Sequence, residues 1–342
     1  MQMLMLFLAA SLAPETLGNY QQLLVKAQYS ELEHQILQQD DYKEHGDVLA
    51  IYARSLFNQQ RLEDANTLLN FATEQFPQHS NLHYLAGLSK IRLASNGNIF
   101  SAKDRALRGV GHLNKALELD PDNFAARQAL IDFYNVAPAA AGGDKELARF
   151  HADYLQQHNP IQAALANSRL LLNDKKPDEA LALIEQYLTE PYNAQLLLRK
   201  AQILNEQKNY AEAFKNFQLT VKYAEDLNNK YSALYHIGRL AVIADQDVDI
   251  GITALEQYLS FYQDSQNVTL YWATLRLGQL MYRTNQLERA SELAASLTNV
   301  DNMSEEFNLI LLSLLSALKP KEFSEEVKEE IIQEVKPADI DS

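Results

Sequence analysis

The sequence predicts an all-α protein, an α-solenoid of stacked antiparallel helix pairs, from its few turn-formers, its amphipathic stretches and a recurring spacing of small residues. Gly 11 and Pro 9 make 20 of 342 residues, about 6% where average usage gives roughly 12%. A β-sandwich or barrel needs a turn every ten residues or so, and that many breakers are missing. Hydrophobic residues at 47% and charged residues at 22% are ordinary globular values, enough to bury a core. A twelve-residue step separates Ala53 from Ala65, Ala201 from Ala213 and Gly278 from Ala290. Small residues at both places let two antiparallel helices approach closely, while larger apolar residues three and four positions away fill the space beside them.

Taken in chain order, the first segment is Met1 to Ala13, apolar on every side and too short to cross a bilayer core of roughly 30 Å. Followed by Pro14 and a polar stretch, it reads as a secretory signal within residues 1–18, a short helix capping the core being the alternative. Residues 19–45, with Tyr20 to Gln39 as a helix or helix pair, cap the array. Residues 46–300 hold about seven helix-pair repeats. The second carries about ten extra residues between Leu93 and Leu113, with a turn at Ser95-Asn96-Gly97-Asn98. The third carries about five, at Ala137 to Gly143, where Pro138 stops a helix and Asp144 caps the next. Residues 301–320, with the apolar stripe of Ser304 to Leu318, form a closing helix. Residues 321–342 are an acidic tail; from Lys319 onward there are eight acids against four bases. No later run approaches 18 apolar residues, so no membrane span is expected once the signal is removed.

The array resembles the tetratricopeptide repeat family, whose 34-residue unit carries a Leu-Gly pair, then Tyr, then Ala and Pro. Leu277-Gly278 and Ile237-Gly238 match that pair, Ala86-Gly87 matches loosely, and Ala53 to Gly87 is 34 residues. The Ala-Pro-x-x-x-Gly-Gly loop at Ala137 is similar to one in some bacterial repeat proteins. The resemblance covers some three quarters of the chain and implies a right-handed superhelix whose first helices line a concave, partner-binding face. The positions it implies for that face hold Arg54, Tyr84, Arg92, Tyr235, Arg239, Trp272, Tyr282 and Arg283. Arg beside Tyr and Trp suits a protein or peptide partner, acidic or carboxylate-ended. The Lys and Asn places of the chaperone-binding carboxylate clamp are absent from the pattern.

With no cysteine there is no disulfide framework, Cys-ligated metal or thiol nucleophile. A formal charge of -15 disfavours nucleic acid as a partner. No phosphate loop, nucleophile elbow or His-Glu-x-x-His occurs, and Gly109-Val110-Gly111 is half a dinucleotide fingerprint with no strand before it. His79 and His83 are four apart but lack a third ligand. The sequence therefore leads to no catalytic residues, no metal and no cofactor. It leads to a non-enzymatic interaction scaffold in the periplasm or cell envelope, with a cytoplasmic regulator sensing a small peptide as the alternative.

Overall fold

The structure, a computed structural model, describes residues 13–95, 99–245, 247–262, 268–300 and 303–318. Most of the expected signal and the whole acidic tail, 321–342, lie outside the described residues. Among those described, every regular element is a helix and no strand occurs. The chain divides into two compact units, Met1–Ile203 and Leu204–Ser342. The first contains α1 (Pro14–Val25), α2 (Tyr29–Leu37), α3 (Gly46–Asn58), α4 (Leu62–Gln75), α5 (Ser80–Ser95), α6 (Ile99–Leu119), α7 (Phe124–Val136), α8 (Lys145–His158), α9 (Pro160–Asn173) and α10 (Pro177–Tyr187). The boundary falls inside α11 (Ala194–Glu206). The second unit continues with α12 (Tyr210–Tyr223), α13 (Leu227–Ile243), α14 (Val248–Phe261), α15 (Val268–Arg283), α16 (Leu287–Ala295) and α17 (Glu305–Leu318). Because α1 starts at Pro14, the boundary expected after residue 18 falls within a helix, and Leu17 and Tyr20 of that helix pack into the first unit's core.

One local motif repeats at the turn inside the helix pairs. Gln60, Lys175, Lys208 and Asn285 all have a positive φ, between 60° and 61°. In each case the next residue's N–H reaches back to a carbonyl five positions earlier: Arg61 to Leu56, Lys176 to Leu171, Asn209 to Leu204, Gln286 to Met281. This is a Schellman cap, which satisfies the last carbonyls of the first helix and reverses the chain. Seven residues before each left-handed residue stands a small buried one, Ala53, Ser168, Ala201 or Gly278. Five after it stands Ala65, Ala180, Ala213 or Ala290, each 0% exposed. The twelve-residue step is therefore the distance between two close-packing positions measured across a fixed turn. Asp245, seven residues after Gly238, also has a positive φ, of 51°.

The two insertions reshape the first unit. The longer one extends α6, which packs along α5, and the shorter one forms a 3-10 turn at Ala139–Ala141 followed by Gly142 at φ 102°. Asp144 then accepts from the N–H groups of Glu146 and Leu147 and starts α8.

Gly109 and Gly111 lie in mid-α6, not in a phosphate-binding loop. A Cβ on Gly109 would stand 2.8 Å from the Gly87 carbonyl oxygen and 3.2 Å from the Ile91 amide nitrogen, whereas one on Gly111 would meet nothing within 4 Å. Backbone cannot step aside as a side-chain tip can. Gly109→Ala should therefore lower the unfolding free energy by about 1–3 kcal/mol. Gly111→Ala should raise it by about 0.5–1 kcal/mol through helix propensity. Paired urea titrations check the opposite signs; two losses of similar size would mean that α6 does not cross α5 on Gly109.

Candidate functional site

All eight residues picked out by the sequence stand on first helices of pairs, α3, α5, α13 and α15, and they fall into two groups. Arg54, Tyr84 and Arg92 share one electrostatic neighbourhood in the first unit. Burial raises the Tyr84 hydroxyl pKa, while Arg54 and Arg92 pull it back. Arg54 donates to the Asn81 side chain at 3.1 Å, and the Arg92 guanidinium lies over the Phe57 ring at 5.4 Å.

Tyr84 and Arg92 border a cavity of about 640 Å³ enclosed by α5, α6 and α7. Its walls are mostly apolar, with Leu88, Ile91, Phe133 and several alanines, and Ala102, Lys103 and Ala106 of the lengthened α6 form one side. Its polar corner was not legible in the sequence. There Asp132 accepts from Arg169 at 3.0 Å and from Gln128 Nε2 at 3.0 Å. Burial raises the Asp132 pKa against the opposing pull of Arg169. Gln128 Oε1 is buried with no hydrogen-bond partner.

The second group, in the second unit, gathers around a residue that sequence reasoning missed. Arg276, on α15, is 7% exposed, and no carboxylate lies within ion-pair distance among the described residues. It donates through Nη1 to Gln279 at 3.0 Å and lies 5.0 Å from the Trp272 ring, while its Nε is buried without a partner. Burial pushes its pKa down; Tyr235 and Glu306 act against that, and Arg239 and Arg283 add to it. A buried cation with two like charges as neighbours and no paired acid is costly. Such a place attracts an anion.

Around it, Tyr235 packs on Tyr258 with ring centroids 5.5 Å apart, and Arg239 reaches Asn205 only at 3.5 Å. Arg283 bonds the Val242 carbonyl at 2.9 Å and Asp245 at 3.0 Å. Trp272 meets Phe307 edge-on at 5.1 Å, so its ring is partly taken up by packing against α17. Tyr282, 39% exposed, lines a cavity of about 340 Å³ between α15 and α17 together with Gln279, Arg283, Leu309 and Ile310.

The histidine pair divides. His79 contacts Asp47 at 3.1 Å, and His83 contacts His112 and the Pro77 carbonyl, each at 3.1 Å. No cluster of three metal-ligating side chains occurs among the described residues. No helix among them is long and apolar enough to cross a membrane.

No protein-family model matches the sequence, and no curated protein matches it. Solved structures do. Yeast Tom70 is similar with a TM-score of 0.63 and 16% identity, over 90% of this chain and 63% of that one; the chain thus spans less than two thirds of that protein's length. The APC/C hetero-tetramer Cut9-Hcn1 is similar with a TM-score of 0.48 and 14% identity, over 90% of this chain and 59% of that one. A tetratricopeptide repeat protein from Parabacteroides merdae gives 0.40 and 14%, over 80% of this chain and 98% of that one. With its small-residue spacing, its repeated Schellman turns and the likeness to Tom70, the chain is an all-α helical-repeat protein with the tetratricopeptide-repeat fold.

Proposed function

We propose that the protein is a non-enzymatic interaction scaffold that binds an acidic or carboxylate-ended segment of a protein or peptide partner. The observation that carries this reading is Arg276, buried and without an acid partner among the described residues, with Arg239 and Arg283 beside it. Arginine forks bind carboxylates in bidentate fashion, and Tyr235, Tyr282 and Trp272 supply rigid faces around them. The repeat fold suits this role, because it presents first-helix side chains in series. The apolar run from Met1 to Ala13 supports an exported location in the periplasm or envelope.

The test is a titration of the full chain with a fluorescent Asp- and Glu-rich hexapeptide bearing a free C-terminal carboxylate, set against its Gln-substituted, amidated counterpart. Trp272, the only tryptophan, gives a second signal from within the site. Binding should weaken with salt, since exposed charges are screened over about 8–10 Å near physiological ionic strength. Arg239→Glu should cost about 2 kcal/mol, roughly a thirtyfold loss of affinity, with the helical circular dichroism unchanged. Equal binding of both peptides, or indifference to Arg239→Glu, would sink the reading.

A further inference from the structure

The end of the second unit leaves an apolar surface that the charge pattern of the chain itself can explain. The α17 sequence, EEFNLILLSLLSAL, is apolar nearly all round after its first turn. Phe307, Leu311 and Leu314 face inward and are buried with Leu275, Ala294 and Leu297. Yet Leu309, on another side, is 49% exposed. A helix that closes a repeat array needs a polar outer face, and one that is apolar on several sides is normally covered. The cavity between α15 and α17 runs along that uncovered side, from Leu309 to Ala317, and its other wall carries Gln279, Tyr282 and Arg283. Gln279 leads on to Arg276.

The chain leaves α17 at Leu318, one residue beyond Ala317, and 24 residues, 319–342, follow. Four extended residues reach roughly 13–14 Å, which is enough to turn back over a helix about 10 Å across. In that segment Phe323, Val327, Ile331 and Val335 recur at a spacing of four, the period of one helix face. Its eight acids outnumber its four bases, opposite in sign to Arg239, Arg276 and Arg283.

We propose that residues 321–335 pack in cis over the groove between α15 and α17, apolar residues on Leu309 and Ile310 and acids toward Arg283 and Arg276. Short tethering makes this segment a strong local competitor, because its effective concentration at the groove reaches the millimolar range for a short flexible link. The docking stands apart from the peptide reading above, and only its consequence rests on that reading: an external acidic partner then has to displace the chain's own end.

Hydrogen exchange of the full chain, with no peptide added, tests the docking. Amides of 322–335 should exchange roughly tenfold or more slowly than in the same segment as a free synthetic peptide. The protection should fall with salt and in Arg283→Glu, and should be lost in Leu309→Asp, whose exposed side chain leaves α17 free to fold. Exchange at the free-peptide rate overturns the proposal. So does protection that survives both substitutions, which would place the segment elsewhere, and so does protection that rises with protein concentration, which would mean a second copy supplies the cover.

Discussion

Phe217→Ala lowers the unfolding free energy of the second unit by about 3–5 kcal/mol, the usual cost of emptying a fully buried aromatic position. Phe217 is 0% exposed, and its ring stacks on His236 at 4.8 Å with the planes 10° apart. Losing it removes apolar burial and also leaves one face of an imidazole, already lacking a partner at Nδ1, against a void. In an array stabilised mainly by neighbour contacts the damage stays local. Hydrogen exchange should therefore speed up through α12 to α14 and stay unchanged through α3 to α8. Uniform loss of protection along the whole chain would instead mean that the two units unfold as one.

Acidification is expected to destabilise the protein well before its carboxylates titrate. His112, His151 and His236 are each pushed down to about 4, in every case mainly by burial. Positive neighbours add to it: Lys90 and His83 for His112, Arg127 for His151, Arg239 for His236. In the unfolded chain a histidine titrates near 6.5, so between about 6.5 and 4 the unfolded state binds protons that the folded state refuses. Stability is then full above about pH 6.5 and falls as the pH drops toward 4, by about 1–3 kcal/mol for each histidine. Urea midpoints at pH 7, 6 and 5 measure the slope. His236→Phe, which keeps the stack on Phe217 and abandons no hydrogen bond at Nδ1, should flatten the slope of the second unit alone. A midpoint constant from pH 7 to 5 would refute the three depressed values together. The two experiments also meet at one residue: water admitted by Phe217→Ala should return His236 toward its ordinary pKa and weaken the acid dependence it contributes.

Much of the architecture was legible because it rests on local spacing. Ala53 with Ala65 and Gly278 with Ala290 are buried small residues at matching places of their helix pairs, and Ala201 and Ala213 repeat the same twelve-residue step. The unit made of α9 and α10 was harder. Its first helix uses Ser168 where the others use Ala or Gly, and only the buried hydroxyl bond to the Leu165 carbonyl at 2.8 Å explains why a polar residue fits there. The turns themselves were hidden for a related reason. Their left-handed residues are Gln60, Lys175, Lys208 and Asn285, none of them the glycine that usually announces a Schellman cap.

The sequence by itself determined the all-α class, the helix pairing and the first-helix placement of Arg54, Tyr84, Arg92, Tyr235, Arg239, Trp272, Tyr282 and Arg283, because periodicity and small-residue spacing act between neighbours along the chain. Tertiary structure alone decided how those side chains are used. Trp272 is drawn into packing by Phe307, thirty-five positions away, and Arg283 is held by Val242 and Asp245. Arg276, which no spacing rule selects, is left as a buried cation with no carboxylate within ion-pair distance among the described residues. Burial and charge pairing depend on which distant groups arrive in the same low-dielectric place. A one-dimensional pattern does not carry that information until the helices are packed.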